Sequence, residues 1–161
     1  GEIIYPRLVE NELKSSPYIQ EAVCFGKDKP YMTAILNIDM NSVGRWADKN
    51  RILYTEYSDL SRNPKVVELI EQQVEQLMSK LSPQNRVEKF FILHKQFTAD
   101  QGELTRTLKV RRNFVEQKYK ELIDGMYLDT QEVSLTSSQT ESVEEEVSLR
   151  VIQLKIEQGV A

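Results

Sequence analysis

The chain has one cysteine, one histidine and one tryptophan among 161 residues. A single thiol, Cys24, cannot close an internal disulfide. It lies in the apolar run Ala22-Val23-Cys24-Phe25, so it reads as a core thiol in a protein kept in a reducing compartment. One Cys and one His are too few for a zinc site or a Cys/His catalytic pair. His94 falls at the end of an apolar run and reads as structural. No GxxxxGK[ST] or GxGxxG phosphate loop occurs, and no CxxC or HExxH. No apolar run approaches the roughly 18 residues of a membrane-spanning helix, and no charged-then-apolar leader opens the chain. A cytoplasmic placement is expected, with peripheral membrane attachment of the full-length protein left open. The chain begins at Gly1 rather than Met, which suggests an excised piece with a part missing before it.

The net charge of −4 argues against a dedicated nucleic-acid binder. Charge is unevenly spread, however. Residues 106–120 carry Arg106, Lys109, Arg111, Arg112, Lys118 and Lys120 against Glu116 alone, whereas 129–161 is acidic and includes Glu144-Glu145-Glu146. A local basic patch on an acidic chain suits a small anionic ligand better than a long polyanion.

Periodicity points to an α+β fold, a small mixed or antiparallel sheet with packed helices. Residues 6–15 read as a helix, with Pro6 at its first position and Val9 and Leu13 on one face. Strands are expected near 20–26, 31–39 and 87–94, the first two joined by the tight link Gly26-Lys27-Asp28-Lys29-Pro30. A short helix over 41–50 would be capped by Asn41 or Ser42. The strongest helical pattern is 64–81: Asn63 caps it, Pro64 follows, and Val67, Ile70, Val74, Leu77 and Leu81 recur at spacings of three and four. A last helix is expected from about 109 to 126, with Val115, Tyr119, Leu122 and Met126 facing the core. The stripe is too narrow and the chain too acidic for a membrane-surface helix. In the tail, Val133 and Leu135 alternate, as do Val147, Leu149 and Val151, which favours a β-hairpin. A helix from Ser142, with Ser142 and Glu145 as a capping box, is the alternative.

The stretch GELTRTLKVRR, residues 102–112, is the most informative. It reads as a turn started by Gly102, with Thr105 and Thr107 able to bond the loop to itself, running into a basic helix start. Lys109 stands on it between Leu108 and Val110. A lysine is a compact, mobile charge suited to bridging anionic oxygens. A solvated loop charge is the competing reading.

Together GELTRTLKVRR at 102–112, the opening GEIIYPRLVENELKSS with YIQEA, and WADKN at 46–50 resemble the C-terminal domain of AMP-forming acyl-CoA synthetases, nearest the long-chain fatty-acid ligases. The resemblance spans residues 1–127; the tail 128–161 would complete the domain as a β-hairpin. It implies an enzyme that activates a fatty acid with ATP and Mg²⁺, then transfers the acyl group from AMP to CoA. A large N-terminal adenylation domain, upstream of Gly1, would hold most of the site, Mg²⁺ included. The C-terminal domain would act as a lid that turns between two orientations. The resemblance implies that Lys109 contacts the carboxylate and α-phosphate in the first step. It places Gly1, Glu2 and Tyr5 near CoA in the second, and suggests phosphate contacts for Arg111 and Arg112, with solvation of the helix start as the competing reading. No metal ligand is implied in this chain. Many relatives have glycine where this chain has Leu108. A stand-alone, non-catalytic binding module with the same fold is the alternative.

Overall fold

The computed structural model describes residues 4–128, 130–135 and 147–154. The chain enters helix α1 (Pro6–Leu13). It then forms strands β1 (Ile19–Phe25) and β2 (Met32–Ile38), which pair antiparallel. Asp28 turns the link between them with a φ of 61°, a left-handed conformation that a short polar side chain tolerates. Three helices follow: α2 (Met40–Lys49), α3 (Tyr57–Arg62) and α4 (Pro64–Met78). They carry the chain back so that β3 (Val87–Ile92) lies parallel to β2. After a long loop come α5 (Arg112–Lys118), α6 (Lys120–Met126), β4 (Glu132–Leu135), β5 (Val147–Arg150) and β6 (Ile152–Gln153). The main sheet has the order β1-β2-β3-β6 and is mixed, because the parallel pair β2–β3 lies between two antiparallel pairs. A separate ribbon pairs β4 with β5, setting Val133 opposite Leu149.

Every residue of β2 is buried, as expected of a strand covered on both faces. Its side chains alternate between two cores. Ala34, Leu36 and Ile38 join Val9, Leu13, Ile70 and Val74 beneath α1 and α4. Ile35 points the other way, to Phe91, Val115, Tyr119 and Leu122 beneath α5, α6 and the ribbon. The stripe Val115, Tyr119, Leu122 and Met126 is fully buried there.

Some elements differ from the sequence reading. Helix α2 is capped by Asp39, whose carboxylate accepts from Ser42 N–H at 3.0 Å, two or three residues before the expected cap at Asn41 or Ser42. Helix α4 stops at Met78 rather than 81, where Ser79 turns its hydroxyl onto the Gln76 carbonyl and Arg86 draws off the Leu81 carbonyl. Helix α3 was not foreseen; six residues hold no periodic stripe, and a capping box between Glu56 and Asp59 starts it. The last helix starts at Arg112, not 109, and kinks at Tyr119 (φ −106°, ψ 25°). Lys109 therefore lies outside any helix. The candidate capping box at Ser142 and Glu145, and Glu144-Glu145-Glu146, fall outside the described residues.

Candidate functional site

After a turn at 98–102, residues 103–111 fold back on themselves as a small hairpin held by one bridge, with 106–109 exposed at its tip. Its base is built first. Asn37, 1% exposed on β2, accepts from Phe97 N–H at 2.8 Å and donates to the Lys95 carbonyl at 2.9 Å. The chain then turns at Gly102 (φ 79°). Any Cβ there would lie 2.9 Å from the Phe114 ring, so both conformation and space call for glycine. Next to it Glu103 is 0% exposed. Its carboxylate accepts from Thr98 N–H at 3.1 Å and from the Tyr119 hydroxyl, and lies 3.3 Å from Lys118 Nζ. A fully buried carboxylate is costly unless paired and hydrogen-bonded, and here it is both.

From that base the two arms run out. Arg111 N–H donates to the Glu103 carbonyl at 2.9 Å, and Thr105 N–H to the Lys109 carbonyl at 2.8 Å. Leu104 and Val110 bridge between them and pack on the second core. The tip closes when Leu108 N–H donates to the Thr105 carbonyl. The threonines bond as their sequence suggested: Thr105 Oγ1 accepts from Lys109 N–H at 3.1 Å and touches Thr107 Oγ1 at 3.1 Å. Leu108 takes φ 63°. A left-handed turn favours glycine and costs a leucine about 1–2 kcal/mol. Lys109 follows, exposed, and among the described residues no carboxylate lies within ion-pair distance of it. The hairpin is thus rigid at its root and presents an uncompensated positive charge near its end. Such a charge is available to stabilise an anion brought to it.

The other candidate residues make contacts of their own. Arg111 donates to the Gly102 carbonyl at 3.1 Å and stacks over Phe114 at 5.1 Å, clamping the arm to α5. Arg112 reaches α1, where it meets Glu10 at 2.5 Å and the Cys24 carbonyl at 2.7 Å. Tyr5 is half exposed, and its N–H donates to Asn85 Oδ1 at 2.9 Å. Tyr5 and Arg112 share a cleft of about 570 Å³ between the start of α1, the end of β1 and the start of α5. Ile4, Leu8 and Phe25 make its walls apolar, and Arg7, Lys27 and Arg112 bring positive charge. Gly1 and Glu2 lie outside the described residues. Sequence reasoning missed Glu10, Glu103 and the cleft cations Arg7 and Lys27. Nothing in a lone charged residue distinguishes a buried anchor from a solvated one. Glu10's place beside Val9 on the inner side of α1 was the only available sign.

Comparison with known proteins bears on this arrangement. A family model described as the AMP-binding enzyme C-terminal domain matches residues 1–131. The chain belongs to that family. It is 33% identical over 128 residues to the long-chain-fatty-acid–CoA ligase FadD15 of Mycobacterium tuberculosis, covering 79% of this chain and 21% of the relative. It is 31% identical over 145 residues to the human long-chain-fatty-acid–CoA ligase ACSBG2, covering 79% and 22%. The chain therefore spans about a fifth of the length of these relatives. Its fold resembles part of the didomain of a carboxylic acid reductase from Segniliparus rugosus solved with AMP. That match has a TM-score of 0.58 at 17% identity, over 76% of this chain and 16% of that one. The α+β class and the recognised family agree with these matches, and the domain is one that enzymes carry. Among the described residues no helix is long and apolar enough to cross a membrane.

Proposed function

We propose that this chain is the mobile C-terminal domain of an ATP-dependent, AMP-forming long-chain fatty acid–CoA ligase, and that Lys109 is its adenylation lysine. The observation that carries this is the hairpin: a buried, ion-paired root at Glu103 and an exposed Lys109 with no local counter-ion among the described residues. In adenylation a carboxylate oxygen bonds to the α-phosphorus of ATP while the bond to pyrophosphate breaks. Negative charge gathers on the oxygens around that phosphorus and on the departing group. Lys109 would supply a fixed positive charge between carboxylate and α-phosphate, orienting the two without exchanging a proton. The partner that holds ATP is the enzyme's own upstream N-terminal adenylation domain, in a cytoplasmic setting.

In the second step the CoA thiol attacks the acyl carbonyl and AMP departs. The cleft beside Tyr5 is suited to a ligand with an apolar arm and phosphates, because Ile4, Leu8 and Phe25 stand beside Arg7 and Lys27. Gly1, Glu2 and Tyr5 belong to this reading as the CoA-side segment. Arg111 carries no ion pair among the described residues but is held by the Gly102 carbonyl and the Phe114 ring, whereas Arg112 is engaged by Glu10. Among the described residues no three His, Cys, Asp or Glu side chains converge on one point. The Mg²⁺ ion belongs to the upstream domain in this reading.

The test is Lys109→Ala in the full-length ligase, assayed one half-reaction at a time. Adenylation should fall by about 10²–10³, or 3–4 kcal/mol, while pre-formed acyl-adenylate still reacts with CoA. Circular dichroism should match the parent, since Lys109 touches neither core. Equal losses in both half-reactions, or none, would overturn the assignment.

A further inference from the structure

Leu108 poses a problem that the hairpin itself does not solve. It holds the left-handed backbone that glycine would hold without strain. It is also 65% exposed, and it joins neither apolar core. The bridge residues Leu104 and Val110, on the same hairpin, do pack on the second core. Strain and exposure at one position are both unfavourable in the conformation described. Both would be offset if the side chain were buried elsewhere, and it lies one residue from Lys109.

We infer that Leu108 is a positioning residue for Lys109: its side chain seats in an apolar surface of the upstream domain when the hairpin docks for adenylation, and so anchors the tip. This rests on the reading of Lys109 given above. The occupant follows from the size and chemistry of the partner. The relatives are about five times longer than this chain and are named for long-chain fatty acids, so a binding channel for such a chain must present apolar wall close to the reacting carboxylate. Burying a leucine against such a wall favours the docked state roughly tenfold to a hundredfold. The docked fraction, and with it the adenylation rate at saturating substrate, should depend on the size and apolarity of this side chain.

The experiment uses the full-length ligase with Leu108→Met, Leu108→Ala, Leu108→Asn and Leu108→Gly, measuring fatty-acid-dependent pyrophosphate exchange and, separately, reaction of pre-formed acyl-adenylate with CoA. Leu108→Met, which replaces the γ-branched leucine by an unbranched apolar side chain of similar volume, should retain adenylation within about twofold. The Ala, Asn and Gly variants should each lose roughly tenfold in adenylation kcat or more, with the CoA step unchanged. A gain in Leu108→Gly would mean that leucine only strains the turn, and would overturn the inference. Loss in Leu108→Gly alone, with Ala and Asn unaffected, would mean that only backbone stiffness matters, and would overturn it too. Lys109→Ala in the same assay separates the two claims. If it leaves adenylation intact, the underlying reading fails; if it lowers adenylation while every Leu108 variant stays at the parental rate, this inference alone fails.

Discussion

Glu10 and Arg112 stand 102 positions apart in the chain and meet at 2.5 Å. Their contact closes a ring through β1: Glu10 accepts from Cys24 N–H at 2.7 Å, and Arg112 donates to the Cys24 carbonyl at 2.7 Å. β1 is an edge strand, and these two side chains satisfy backbone groups that would otherwise face outward there. They also tie α1, which follows the Tyr5 segment, to α5, which follows the Lys109 hairpin.

Arg112→Ala should therefore destabilise the fold with no ligand present. It leaves Glu10, 8% exposed, without its counter-ion. Removing one partner of a buried pair costs about 3–5 kcal/mol; Arg112 is itself a third exposed, so about 1–3 kcal/mol is expected. Chemical denaturation of Arg112→Ala, Glu10→Ala and the double variant would measure the coupling. A variant as stable as the parent, but weakened toward ATP or CoA, would show that Arg112 works on phosphates instead.

Gly125 in α6 sets helix propensity against packing. Alanine in a helix is favoured over glycine by about 1 kcal/mol. A Cβ at 125, however, would lie 2.3 Å from Val133 Cγ2 on β4, and overlap of that kind in a packed site costs about 1–3 kcal/mol. Gly125→Ala should lower the melting temperature, and the same change in a Val133→Ala background should raise it relative to Val133→Ala alone.

His94 is buried, its Nδ1 has no hydrogen-bond partner, and burial, with Lys95 and Arg62 nearby, lowers its pKa to about 4. The unfolded chain takes up that proton near pH 6.5, so between about pH 6.5 and 4 the unfolded state binds more protons. The neutral ring's contribution is present above pH 6.5 and is lost as pH falls toward 4, by up to about 3 kcal/mol. Stability measured from pH 7 to 4 should fall less steeply in His94→Gln than in the parent. Parallel curves would contradict the assignment.

The isolated chain should bind ATP weakly or not at all and show no ligase activity, because it contains no phosphate-cradling loop. Micromolar binding in calorimetry would contradict this.

Residues close together in sequence made much of the molecule legible. Asn63 and Pro64 announced α4, the alternation of β2 announced a strand, and Val115, Tyr119, Leu122 and Met126 announced the stripe beneath the second core. Boundaries were less legible, because they depend on single hydrogen bonds such as Asp39 to Ser42 or Arg86 to Leu81. Lys109 was singled out correctly as an outward-facing charge, but it was placed at a helix start. Its run of basic and apolar residues fits a helix as well as a strand, and the bonds that decide between them, Arg111 to Glu103 and Thr105 to Lys109, belong to a turn closed by an unusual residue.

The sequence by itself determined the family and most of the strands and helices, because each is written in local periodicity or in a contiguous motif. Only the tertiary structure decided what the charges do. Glu10, Glu103 and Arg112 look like any solvated charge in the chain; the burial of the two glutamates and the anchoring of Arg112 follow from contacts with Cys24, Tyr119 and Lys118 that folding alone brings together. The same holds for Leu108. Its left-handed backbone arises from closing the hairpin between two arms, whose spacing is set by the core beneath them.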